Sequence, residues 1–198
     1  MHLIARIVKI SDFRNLVTEK IININLNKKT MRLISALFAF VFAATMFAQT
    51  SIPRPEHPEP QWERKNWVNL NGEWQFAIDN SRSGKDRKMY LPNCDPSCFD
   101  KKINVPFCPE SELSGINNKD FMLGVWYRRT FNVSQEQLQG SVLLRIGACD
   151  YKSEVFLNGK SLGVHFGGYS SFTVDITKYV KEGENLIIVY AEDDNRTG

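Results

Sequence analysis

Two glutamates lie close together in the middle of the sequence, and paired carboxylates are the residues that supply general acid and base catalysis. Glu110 and Glu112 flank Ser111 in a loop bounded by Pro109. A catalytic acid needs neighbours that raise its pKa, and the local sequence offers none. We therefore predict that both glutamates are solvated loop charges, and we assign no catalytic residue.

A second polar group closes the sequence, where an apolar stretch gives way to Asp193, Asp194 and Asn195. Carboxylates and amides form hydrogen bonds with hydroxyl groups, which makes these three residues the best candidates for ligand contact. The alternative is a solvated domain end, which is the commoner situation in an isolated chain. Trp126 is a fourth candidate. Alternation places it on the face opposite Tyr127, so it is either an exposed aromatic that stacks on a ligand or a core residue.

The remaining reactive side chains do not form a recognisable site. His57 and His165 are distant from each other and from the cysteines, so no zinc site is predicted. Motifs for nucleophilic catalysis, phosphate binding and helix-borne metal binding are missing, so no metal and no cofactor is predicted. Cys94 and Cys98 bracket the turn-forming tripeptide Asp-Pro-Ser, which leaves a disulfide between them open, whereas Cys149 follows an apolar strand as buried thiols often do.

The charge of the chain is divided unevenly. The first 48 residues hold seven Lys and Arg against Asp12 and Glu19, and the rest of the chain holds 18 basic and 20 acidic residues. The excess of +3 therefore belongs to the leader. Because no basic stripe with interleaved aromatic residues follows, nucleic-acid binding is disfavoured.

The first 61 residues are typical of targeting and linker sequence. Residues 31–48 have a basic start, an apolar stretch and a small residue, Ala48, at a plausible cleavage site, which predicts a signal peptide and a secreted or periplasmic protein. The apolar stretch is too short to span a bilayer, so no membrane association is expected after cleavage. Residues 1–30 are interpreted as an over-extended start or a long leader, and residues 49–61 as a Pro-rich linker.

Short apolar alternations separated by turn signals fill the remainder, which predicts an all-β fold of about eight strands. Gly72–Asp79 is a predicted strand, and Asn158-Gly159 is the dipeptide that favours a type I′ hairpin turn. Leu186–Ala191 is apolar on both faces, as in an inner strand. Ser81–Asp100 is interpreted as a polar connection, either a functional loop or an excursion across the sandwich edge. Together these elements suggest a jelly-roll β-sandwich.

Several motifs occur in the order found in glycoside hydrolase family 2. The segment Trp67–Phe76, reading WVNLNGEWQF, resembles the opening signature of that family. It is followed by Ile103–Pro106, by Gly124–Phe131 (GVWYRRTF), by Val155–His165 (VFLNGKSLGVH) and by Gly167–Tyr169. The resemblance covers nearly all of residues 62–194 and implies the family's sugar-binding jelly roll, which is similar to galactose-binding domains.

The resemblance also implies what the chain lacks. In this family two carboxylates of a following (β/α)₈ barrel hydrolyse a β-glycoside, and such a barrel needs about 250 residues. We therefore expect residues 195–198 to begin a truncated connection to a C-terminal catalytic barrel, and the chain alone to be inactive. The expected ligand is a carbohydrate, contacted by Asp193, Asp194, Asn195 and Trp126. A free-standing carbohydrate-binding module and a structural sandwich without a ligand remain the alternatives.

Overall fold

The computed structural model describes residues 52–57, 61 and 67–194 of the chain. The predicted leader, most of the predicted linker and residues 195–198 lie outside the described residues. Within the described range the fold is almost entirely β-structure, as the alternation predicts. The strands are β1 (Gly72–Ile78), β2 (Lys101–Val105), β3 (Gly124–Val133), β4 (Leu143–Ile146), β5 (Lys152–Leu157), β6 (Lys160–Phe166), β7 (Phe172–Asp175) and β8 (Gly183–Glu192). Between residues 67 and 194 there are also three 3₁₀ turns, Pro96–Cys98, Glu112–Ser114 and Gln137–Gln139.

The strands form two antiparallel sheets. Six strands lie in the order β2-β1-β3-β8-β5-β6, and β4 pairs with β7 in a second, smaller sheet. Strands β3 and β8 are the centre of the large sheet and pair over ten residues, from Gly124 opposite Glu192 to Val133 opposite Gly183. This arrangement confirms the all-β sandwich expected from the sequence.

The sandwich core lies between the two sheets. Inward side chains of the large sheet meet Leu144 of β4 and the partly buried Phe172 and Val174 of β7. Each large side chain that is fully buried stabilises the fold by about 1.5–3 kcal/mol. The fully or nearly fully buried members are Trp74, Phe76, Ile103, Leu144, Val155, Leu157, Ile176, Ile187 and Val189.

A second core lies on the opposite face of the large sheet, under residues 80–100, which we name the cover segment. Met89 of this segment is fully buried and Phe99 nearly so. They pack with Trp126, Phe156 and the outward side chains of β8. Of the two interpretations of Ser81–Asp100, the structure agrees with an excursion, but the segment crosses the face of the large sheet and not its edge. Its few apolar residues are spaced irregularly along a chain without regular structure, so no periodicity revealed that they cover the sheet.

Burial on both faces explains why β8 is continuously apolar. Ile187 and Val189 belong to the sandwich core, while Leu186, Ile188 and Tyr190 belong to the second core. Alternate residues of a strand point to opposite faces, so an uninterrupted apolar sequence requires apolar neighbours on both sides. The prediction of an inner strand for Leu186–Ala191 is confirmed.

The predicted hairpin turn joins β5 to β6. Asn158 and Gly159 have φ values of 51° and 84°, as a type I′ turn requires of its two central residues. The Asn158 side chain donates to Asn185 Oδ1 at 2.9 Å and accepts from the Leu186 amide at 3.0 Å. A Cβ at Gly159 would approach Pro92 of the cover segment to 2.9 Å, so glycine is needed there for space as well as for backbone conformation.

Candidate functional site at the end of the last strand

The polar residues that follow the buried part of β8 are held in place by other elements. Glu192 accepts a hydrogen bond from Lys152 Nζ of β5 at 2.6 Å and another from the Tyr190 hydroxyl at 2.8 Å. Partial burial alone would raise the pKa of Glu192, but the hydrogen bonds from Lys152 and Tyr190 outweigh it and lower the pKa below its usual value. Glu192 is therefore a fixed, ionised carboxylate.

Asp194 is bound by the cover segment. Arg82 Nη2 donates to Asp194 Oδ2 at 3.2 Å, across 112 positions of the sequence. Asp193, between the two anchored carboxylates, is exposed to solvent. Asn195 lies outside the described residues. Asp193 and Asp194 thus lie at one end of the sheet, where Asp194 is bound by Arg82, a neighbour that sequence reasoning did not identify.

Arg82 owes its position to a buried carboxylate at the end of β1. The Asp79 side chain is 1% exposed and accepts from the Gly84 amide at 2.8 Å, the Ser83 amide at 3.1 Å and Trp126 Nε1 at 3.0 Å. Burial raises the pKa of Asp79, but these hydrogen bonds from Trp126 and the amides prevail and lower it. The turn that carries Arg82 is therefore closed around an ionised carboxylate.

Trp126 does not take the exposed position that sugar stacking would require. It is fully buried in the second core, and the centroid of its ring lies 4.5 Å from the centroid of the Tyr190 ring. Of the two interpretations of Trp126, the core residue is the one that the structure shows, and the prediction that Trp126 contacts the ligand is corrected. Alternation gave the correct face, but it gave no sign that the cover segment would enclose that face.

Exposed aromatic residues occur near the same end of the sheet instead. Lys152 lies opposite Glu192 on one side and opposite Phe166 on the other, so the three side chains stand on one face of the sheet. Phe166 is 60% exposed, and its ring packs edge-on against the ring of Tyr151 with 6.4 Å between the ring centroids. Tyr169, three residues beyond β6, is 99% exposed. Sequence reasoning missed these aromatics because alternation cannot distinguish a covered strand from an open edge strand.

The glutamates and the histidine considered in the sequence analysis have ordinary structural surroundings. Glu110 and Glu112 are both exposed loop residues. The His165 ring stacks on the Phe172 ring with 4.1 Å between the ring centroids, and its Nε2 atom lies 3.4 Å from the Ser170 hydroxyl oxygen. These contacts are typical of a structural histidine. Among the described residues there is no group of three potential metal ligands. The same part of the chain contains no helix long and apolar enough to cross a membrane.

Comparison with known families identifies the class of domain. The pattern described as "Glycosyl hydrolases family 2, sugar binding domain" matches residues 67–193. These are the residues that form both sheets and end at the candidate site, so the fold described above is a sugar-binding β-sandwich domain. Because the match covers well over half of the chain, this protein belongs to glycosyl hydrolase family 2, as the ordered motifs predict.

Individual relatives agree with this assignment. The chain is similar to a β-galactosidase of Bacteroides ovatus, with 38% identity over 134 residues, 63% of this chain and 15% of that protein. It is also similar to a putative β-glucuronidase of Formosa agariphila, with 29% identity over 61% of this chain and 14% of the relative. The solved β-glucuronidase of Lactobacillus rhamnosus superposes with a TM-score of 0.55 and 28% identity, covering 64% of this chain and 21% of that one. The chain thus spans only a small fraction of these relatives' length.

Proposed function

We propose that this chain is the supporting and sugar-contacting domain of a secreted family 2 β-glycosidase, and that hydrolysis of O-glycosyl bonds is performed by a catalytic barrel that follows it. The observation that carries this proposal is the set of anchored carboxylates at the end of β8. Glu192 and Asp194 are held by Lys152 and Arg82, so their oxygens are oriented before any ligand binds. Preorganised acceptors of this kind suit sugar hydroxyls, since little entropy is lost on binding.

The roles of the residues that precede the domain, the localisation and the partners belong to the same proposal. Residues 31–48 act as a signal peptide, with residues 1–30 as an over-extended start and residues 49–61 as the Pro-rich linker to the domain at 62–194. The protein is accordingly secreted or periplasmic. Its partners are a β-glycoside and the barrel, with Asp193, Asp194 and Asn195 reaching toward the sugar from the edge of the barrel pocket.

The test separates hydrolysis from support. The 198-residue chain is expected to release no nitrophenol from nitrophenyl β-glucuronide, β-galactoside or β-mannoside, because the described residues provide no matched pair of catalytic carboxylates. A longer recombinant chain that continues into the barrel is expected to be active. Turnover by the 198-residue chain itself would refute the proposal.

The contribution of the anchored carboxylates is tested in the longer chain. Asp194→Ala and Arg82→Ala are both expected to raise KM by about tenfold, the loss of one hydrogen bond to a charged group. Arg145→Ala is the matched control, since Arg145 is an exposed residue of β4 in the other sheet. If Arg82→Ala and Arg145→Ala have the same KM as the parent, Asp194 does not contact the sugar through this arrangement.

A second candidate function is a free-standing carbohydrate-binding module, which the exposed aromatics favour. Tyr151, Phe166 and Tyr169 offer faces on which a pyranose ring can stack, and Lys152 and Glu192 lie beside Phe166. This function requires the 198-residue chain to bind glycans without a barrel. Calorimetry with oligosaccharides of galactose, glucuronic acid and mannose, comparing the parent with Tyr169→Ala, decides between the two. Heat of binding that Tyr169→Ala abolishes would favour the module.

A further inference from the structure

Cys94 and Cys98 of the cover segment both contact one carbonyl oxygen, Cys94 through its thiol and Cys98 through its backbone amide. Cys94 Sγ lies 3.6 Å from Asp95 O, and the amide nitrogen of Cys98 donates to that same oxygen at 3.0 Å. The 3₁₀ turn Pro96–Cys98 produces this return of the chain, and the Asp95 side chain caps it by accepting from the Ser97 amide at 2.9 Å. The two cysteines therefore lie within one turn of the chain, and the Cys98 thiol is close enough to help raise the pKa of Cys94.

The surroundings keep this pair apart from the other thiols. Cys94 and Cys98 are both partly buried and pack on the second core. Cys149 packs against the sandwich core, on the other face of the large sheet, and Cys108 is exposed in the loop that follows β2. The sheet therefore separates the Cys94 and Cys98 thiols from Cys149. A disulfide within the cover segment would join Cys94 to Cys98.

We propose that Cys94 and Cys98 are a redox-active dithiol that closes to a disulfide and stabilises the cover segment on the large sheet. The oxidant is a small disulfide such as oxidised glutathione. One cysteine thiolate attacks the glutathione disulfide and releases one reduced glutathione. The second cysteine thiolate then attacks the mixed disulfide and releases another. Two protein thiols lose two electrons and two protons, and one oxidised glutathione becomes two reduced molecules.

The pH dependence of closure follows from the environment of the pair. Burial, together with the Cys98 thiol, raises the pKa of Cys94 to about 11, so its thiolate is scarce at neutral pH. Since only the thiolate reacts, closure is expected to be faster at pH 9 than at pH 7. The 3₁₀ turn Pro96–Cys98 offsets part of this disadvantage, because it keeps the two cysteines within one turn of each other.

Peptide mapping of the purified 198-residue chain tests the proposal. After equilibration in buffers of reduced and oxidised glutathione, free thiols are alkylated and the chain is digested with trypsin. Cleavage after Lys88 and Lys101 gives one peptide that contains Cys94, Cys98 and no other cysteine. We expect this peptide to lose two hydrogens and to escape alkylation, whereas Cys108 and Cys149 stay free or carry glutathione. Separate glutathione adducts on Cys94 and Cys98, or full alkylation of both in the most oxidising buffer, would overturn the proposal.

Variants distinguish a stabilising Cys94–Cys98 disulfide from incidental oxidation. The double variant Cys108→Ser/Cys149→Ser is expected to form the same closed peptide, while Cys98→Ser is expected to leave only a glutathione adduct on Cys94. Closing a short loop is expected to raise the melting temperature of the oxidised double variant by about 5 °C over its reduced form. A disulfide between Cys94 and Cys149 in the parent, or an unchanged melting temperature after closure, would contradict the proposal that a Cys94–Cys98 disulfide stabilises the cover segment.

Discussion

Trp126 Nε1 donates a hydrogen bond to Asp79 Oδ2 at 3.0 Å, in the interior of the second core. This contact joins the end of β1 to the central strand β3, and the same carboxylate closes the turn at the start of the cover segment. Because both partners are buried, neither can replace the other with water. The bond therefore fixes the cover segment, and through Arg82 it fixes Asp194 at the candidate site.

Replacing the buried carboxylate should destabilise the domain. Asp79→Asn puts an amide NH₂ group where donors from Trp126 and Gly84 need an acceptor, and we expect a loss of about 3 kcal/mol in the free energy of unfolding. Urea unfolding followed by fluorescence measures it. Asp86→Asn is the matched control, because Asp86 is an exposed residue of the same segment, and it should change stability by less than about 0.5 kcal/mol. Equal effects of the two changes would show that Asp79 is not an anchor.

The same carboxylate should make stability fall in acid. The folded pKa of Asp79 lies below its usual value, so its contribution is complete above pH 5 or so and is lost as the pH falls through the lowered pKa. The difference in unfolding free energy between the parent and Asp79→Asn should therefore shrink as the pH is lowered from 7 to 3, since the parent carboxylate also becomes neutral. Urea titrations at several pH values check this, and a constant difference would contradict it.

Gly84 should not tolerate a side chain. A Cβ at this position would lie under 3.0 Å from three atoms of the Trp126 ring, which is itself enclosed. We expect Gly84→Ala to cost about 3 kcal/mol, the upper end of the range for overpacking. Thermal unfolding measures the loss. Gly140→Ala serves as control, because a Cβ there meets no atom within 4 Å and the backbone φ is −134°. A loss for Gly84→Ala no greater than for Gly140→Ala would disprove the close packing.

A buried amide should be equally sensitive at the hairpin. Asn185 is 1% exposed, accepts from the Lys181 amide and from Asn158, and donates to the carbonyls of Lys181 and Gly183. Asn185→Ala removes these four hydrogen bonds in a buried place, so we expect a loss of about 3 kcal/mol in denaturant unfolding. Asn93→Ala, at an exposed position of the cover segment, should be close to neutral. If both variants unfold at the same denaturant concentration, the Asn185 network does not stabilise the fold.

The local sequence determined the strands, the hairpin and the family. Trp74 and Phe76 of β1 face the sandwich core and Ala77 faces the second core, as alternation along a strand requires, and Asn158-Gly159 tolerates the positive φ values of its turn. Such features depend on neighbours in the chain or on a repeat of two residues, so they can be read without coordinates. The ordered motifs also identified family 2 and its sugar-binding domain.

Only the tertiary structure decided which surfaces are covered and which charges meet. Trp126 has the same alternation whether it faces solvent or a cover, and the irregular segment with Met89 supplies that cover. Arg82 and Asp194 are 112 positions apart, so their contact depends on the path of the whole chain. The same limit applies to the exposed Phe166, because an edge strand differs from a covered one only in its neighbours in space. Local patterns determined the elements, and long-range packing decided how the candidate site is built.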